Sequence, residues 1–105
     1  MEKIRSDHNV SYVTHYHVVW CPKYRRKVLV NGVDTRLKQI VQEMCQEHNA
    51  ILEEMEVMPD HIHLLISVDP QYGIHRLVRL LKGRSSRILR QEYPRLKIRL
   101  PTLWT

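Results

Sequence analysis

Two strand-like runs separated only by Pro59-Asp60, "AILEEMEVM" (Ala50 to Met58) and "HIHLLISV" (His61 to Val68), constrain this chain more than any other feature. β-Branched residues on both sides of a two-residue turn predict an antiparallel hairpin. A hairpin in the middle of a 105-residue chain is unstable until something covers one of its faces. The segments on either side read as that cover. From a cap at Asp34, Leu37, Ile40, Val41, Met44, Cys45 and His48 recur at spacings of three and four, the pattern of an amphipathic helix. From Ile74, a second helix directs Leu77, Val78, Leu80, Leu81, Ile88 and Leu89 inward. It should stop near Tyr93, because Pro94 disfavours helical geometry in the residue before it.

Upstream, Ser11 to Trp20 alternates Tyr12, Thr14, Tyr16, Val18 and Trp20 along one side and reads as a first strand. Arg95 to Leu100, "RLKIRL", alternates basic with apolar residues and reads as a fourth. The resulting order βαββαβ predicts an α+β, ferredoxin-like (split βαβ) fold, an antiparallel sheet with two helices on one face. Residues 1–105 are expected to form one domain, with no internal repeat or linker.

Seventeen Lys plus Arg against eleven Asp plus Glu give a formal charge of +6 and a pI near 9.6, which favours an anionic partner, nucleic acid ahead of a membrane surface. No apolar run approaches the ~18 residues of a spanning helix and the N-terminus lacks a secretory centre, so a cytoplasmic protein is expected. Cys21 and Cys45 fit no metal or disulfide spacing and read as buried thiols.

Residues i and i+2 of a strand project from the same face, so His61 and His63 stand side by side while Ile62, Leu64, Ile66 and Val68 enter the core. Two imidazoles so placed can meet one cation, but further ligands must come from elsewhere. They can equally be ordinary polar residues of an open sheet face. His15-Tyr16-His17 repeats the same spacing on the first strand, a warning that the spacing alone is a weak signal. Asp60 is placed to shape the turn, and alternatively to orient His61 by a hydrogen bond.

The longer stretch "MPDHIHLLI" is more specific than the histidine spacing. It resembles the HUH strand (His, hydrophobic, His) of TnpA-type single-tyrosine transposases, which move small insertion sequences as single-stranded DNA. "YHVVWCPKYRRKVL" (Tyr16 to Leu29) is similar to that family's opening strand and basic loop, "LVRLLKGRSSRILR" (Leu77 to Arg90) to its second helix, and the terminal "LWT" to the segment leading toward its catalytic helix. The resemblance implies that His61 and His63 bind Mg2+ or Mn2+, which polarises a scissile phosphate. A tyrosine then attacks, leaving a 5′-phosphotyrosine and a free 3′-hydroxyl, with no nucleotide cofactor. It also implies single-stranded DNA bearing hairpins as substrate, and a homodimer.

In that family the nucleophilic tyrosine and a glutamine ligand lie beyond the segment resembled by "LWT", whereas this sequence ends at Thr105. None of Tyr12, Tyr16, Tyr24, Tyr72 or Tyr93 matches the nucleophile. A domain truncated before the tyrosine helix, either as a product of a longer gene or as a natural remnant that keeps the scaffold and half a site, and inactive by itself, is therefore expected. For the nucleic acid, the expected contacts are Lys23, Tyr24, Arg25, Arg26 and Lys27 of the loop. Lys82, Arg84 and Arg87 of the second helix join them, on a surface also carrying Arg76, Arg79 and Arg90. Tyr24 is placed to stack on an unpaired base. The competing reading is a non-catalytic module of the same fold that binds hairpin or single-stranded nucleic acid.

Overall fold

The computed structural model describes residues 14–98 and 100–105. β1 is Thr14–Trp20, α1 Val33–Glu47, β2 Ile51–Met58, β3 His61–Val68 and α2 Ile74–Glu92. The expected start of β1 at Ser11, and Tyr12 with it, lies outside the described residues.

The three strands form an antiparallel sheet in the order β1-β3-β2. β3 is central, and its bounds follow from the turn signals at either end, Pro59-Asp60 and Asp69-Pro70. Ile62, Leu64, Ile66 and Val68 are buried from β3. Against them pack Val33, Leu37, Ile40, Val41, Met44 and Cys45 of α1 and Leu77, Leu81 and Leu89 of α2, so both helices share one face of the sheet. Burial pushes the Cys45 thiol up to about 11, as expected of a thiol used for packing.

The helices run antiparallel and are clamped at two places. Arg36 donates two hydrogen bonds to the Glu92 carboxylate at 2.9 and 3.2 Å, and Arg84 donates to both oxygens of Glu47 at 2.9 and 3.0 Å. Gly32, before α1, has φ of 99°. A side chain there would meet the Tyr93 hydroxyl at 3.1 Å, so glycine serves both the left-handed backbone and the close approach. Asp34 is not the N-cap itself; it sits in the first turn and its carboxylate accepts from the Gly32 N–H. In α2, Leu80 is 39% exposed rather than inward, and the buried stripe recurs every four residues through Ser85.

Among the described residues the expected fourth strand does not form as such. Pro94–Lys97 is a 3-10 helix, which Pro94 favours by fixing its first φ and having no N–H to lose. A strand would put Leu96, Ile98 and Leu100 on one face. Instead Leu96 and Leu100 are buried and Ile98 is 80% exposed, so tertiary packing selects a coiled path over the alternation. Pairing resumes later in the chain. Trp104 bridges Pro22, Lys23 N–H donates to Leu103 O at 2.8 Å, and Thr105 N–H donates to Cys21 O at 3.1 Å. Trp104 is fixed by a T-shaped contact with Trp20 and by its Nε1–H donating to the buried Ser85 hydroxyl at 3.0 Å.

Candidate metal centre and nucleic-acid interface

The face of the sheet away from the helices is set by the strand registers. Val19 of β1 and Glu56 of β2 stand opposite His63, Met58 stands opposite His61, and His17 stands opposite Leu65. A bulge at Glu53 shifts β2 by one residue, so that Ile51 and Glu54 reach this face as well. His15, His17, His61 and His63 therefore occupy one open surface.

His61 is held from behind. Its Nδ1–H donates to Asp60 Oδ1 at 2.9 Å, while Asp60 Oδ2 accepts from Arg25 Nη2 at 3.1 Å. The hydrogen bond from His61, reinforced by Arg25, holds the Asp60 carboxyl below the usual carboxylate range. Such a bond leaves Nε2 of His61 as the lone-pair nitrogen, the tautomer a metal ligand requires. Of the two roles read for Asp60, the structure contains both, the turn and the hydrogen bond.

His63 has a different neighbour. Its Nε2 lies 3.3 Å from Nδ1 of His17, so the histidine pair of β1 joins the surface it had seemed to imitate. At the far end of the face, His15 Nδ1 lies 2.7 Å from the Ser67 hydroxyl and 3.0 Å from Glu53, to which Ser67 also donates. Sequence periodicity gives no signal for these cross-strand contacts, which depend on register. Among the described residues no group of three or more His, Cys, Asp or Glu side chains converges as a metal site. The donor set thus fits a cation through His61 and His63 only with additional ligands.

The basic loop is anchored beside this site. Leu29 N–H donates to Pro59 O at 3.0 Å, and Arg25 grips Asp60, so the middle of the loop's basic run and the residue two beyond its end are tied to the β2–β3 turn. Within it Tyr24 and Arg25 adopt φ of 60° and 51°, uncommon for residues with a side chain. Tyr24 is 65% exposed, with the Lys23 ammonium 5.7 Å from its ring centroid. Arg26 and Lys27 are exposed.

The α2 residues divide. Arg84 is engaged with Glu47, and Lys82 donates to Thr105 O at 3.0 Å, so both serve contacts within the fold. Arg87 is exposed and lines an open groove with Ser86, Arg90, Gln91 and Lys97. None of the four tyrosines among the described residues sits in a strand position on the histidine face. Tyr16 packs against the core, Tyr72 lies 3.2 Å from His48 Nδ1, and Tyr93 lies against Arg95.

An antiparallel sheet with two helices on one face and paired histidines on the other makes this an α+β protein of the ferredoxin-like class. A solved protein of Deinococcus radiodurans R1 described as a transposase superposes with a TM-score of 0.85 at 36% identity, covering 97% of this chain and 80% of that one. The chain belongs to the IS200-like transposase family, whose model, "Transposase IS200 like", matches residues 10–105. It is 45% identical over 89 residues to the ISDra2 transposase TnpA of Deinococcus radiodurans, covering 85% of this chain and 64% of that protein. It is 32% identical over 84 residues to the transposase for insertion sequence element IS200 of Salmonella typhimurium, covering 80% of this chain and 55% of that one. The chain thus spans less than two thirds of the length of the ISDra2 and IS200 transposases. Among the described residues no helix is long and apolar enough to cross a membrane.

Proposed function

We propose that this chain is the metal- and DNA-binding core of a transposase that nicks and rejoins single-stranded DNA at hairpin-marked ends through a 5′-phosphotyrosine. His61 and His63 would hold Mg2+ or Mn2+, working in a homodimer with no nucleotide cofactor. The cation, when bound, supplies Lewis-acid polarisation of the scissile phosphate. Asp60 orients His61 and keeps its Nε2 available, and Arg25 secures Asp60. Lys23, Arg26 and Lys27 meet phosphates, Tyr24 stacks on a base, and Arg87 extends the cationic track along α2. None of the described tyrosines is assigned as the nucleophile, because none stands on the histidine face of the sheet.

The observation that carries this reading is the Arg25–Asp60–His61 chain of hydrogen bonds. It couples the basic loop to the histidine strand in the manner of a ligand histidine backed by a carboxylate. A passive binding module of this fold would present exposed aromatic residues on its central strands. Here β3 offers His61, His63, Leu65 and Ser67 on that face.

The test incubates the full gene product with labelled hairpin-bearing single-stranded DNA and Mn2+. The expected result is an SDS-resistant adduct that disappears in a His61→Ala, His63→Ala double variant. No adduct, together with unchanged DNA affinity in the double variant, contradicts the catalytic reading.

A further inference from the structure

His17 is outside the motif, yet it makes the closest polar contact of the His63 ring. The two ring planes are inclined by only 15° and their centroids lie 5.5 Å apart, while the facing nitrogens are 3.3 Å apart. The centroid separation exceeds the nitrogen separation by nearly two ring radii. The imidazoles therefore meet end to end, His17 Nδ1 against His63 Nε2, and are not stacked face over face. Facing nitrogens in line are the geometry of an N–H···N hydrogen bond, in which one carries the proton and the other the lone pair.

The direction of that bond decides what His63 can do. If His17 donates, both nitrogens of neutral His63 are occupied, one by its own proton and one by the accepted bond. If His63 Nε2–H donates, its Nδ1 lone pair stays available. Only the second arrangement is compatible with His63 as a ligand.

We propose that His17 is a positioning residue for His63: its Nδ1 accepts from His63 Nε2–H, fixing the ring and its tautomer so that Nδ1 is presented to the divalent cation. This rests on the assignment of His63 as a ligand. His17 and Asp60 then play the same part for the two motif histidines, each occupying one ring nitrogen so that the other is left to bind. The register places His17 diagonally across from His63, within reach of a long side chain.

The experiment titrates Mn2+ alone into the chain, by paramagnetic resonance of the free ion, for wild type, His61→Ala, His17→Phe and His17→Gln. Circular dichroism confirms that each variant is folded. Removing a hydrogen-bond partner of a ligand histidine weakens binding by about 10–100-fold, and His17→Phe is expected to fall in that range. His17→Gln, whose side-chain carbonyl can still accept, is expected to recover most of the loss. Independently, nitrogen-15 spectra of the metal-free wild type are expected to show His63 as the Nε2–H tautomer, a signature that a merely structural residue would not set. If His61→Ala weakens binding and His17→Phe does not, or if His63 is the Nδ1–H tautomer, the inference is overturned while the functional reading stands. If wild type binds no Mn2+, or His61→Ala leaves binding unchanged, the metal reading itself fails and this inference with it.

Discussion

At the scale of single residues, Asp60 is the most informative side chain of the candidate site, because two different elements converge on its carboxylate. Replacing it with asparagine keeps an acceptor for His61 but removes the charge that holds Arg25. Asp60→Asn should weaken Mn2+ binding by about 10-fold or more with little change in thermal midpoint, measurable by calorimetric titration. Asp60→Ala should weaken it further. Of this site, the motif pair could be read from residues 61 to 63, since β3 alternates cleanly between turn signals. The His17 contact could not, because it exists only through the pairing of β1 with β3. Likewise Glu53 reaches Ser67 and His15 only because a bulge displaces it, and a bulge leaves no mark in an alternation that is already imperfect.

At the scale of elements, α2 separates residues that composition alone groups together. Its basic residues look alike in sequence, yet Arg84 binds across to α1 while Arg87 faces the open groove. Single-stranded DNA affinity falls with salt by about 0.7 logarithmic units per neutralised phosphate. Arg26→Ala and Arg87→Ala should each lower that slope by about 0.7. Arg84→Ala should leave it unchanged and cost at most about 1 kcal/mol of stability.

The other clamp carries a pH signature. Hydrogen bonds from Arg36 hold the Glu92 carboxyl below its ordinary range. A lowered folded pKa means stabilisation that is present above the unfolded value, near 4.3, and is lost as pH falls through the folded one. Thermal melts should therefore show Arg36→Gln less stable than wild type at pH 7, with the gap closing below about pH 4. The helices themselves were legible from their apolar spacing. The segment after Pro94 was not, because alternating basic and apolar residues also satisfy a 3-10 turn that buries Leu96 and leaves Ile98 in solvent.

At the scale of the whole molecule, the segment from Leu103 to Thr105 returns to the end of β1, beside the basic loop. Trp104 is the anchor, wedged against Trp20 with its indole N–H on Ser85. Ser85→Ala leaves that buried donor without a partner, a loss of about 1–3 kcal/mol, to be read from urea unfolding of the full chain. The sheet order, the shared helix face and this return path together place three things at one end of the open face: the histidine strand, the cationic loop and the Leu103–Thr105 segment. The account's central claim is that this end holds a divalent cation through both motif histidines. The direct measurement is an anomalous difference map from crystals grown with saturating Mn2+. A peak bonded to rings of both His61 and His63 is the predicted result; a peak elsewhere on the surface, or none on this face, would contradict it.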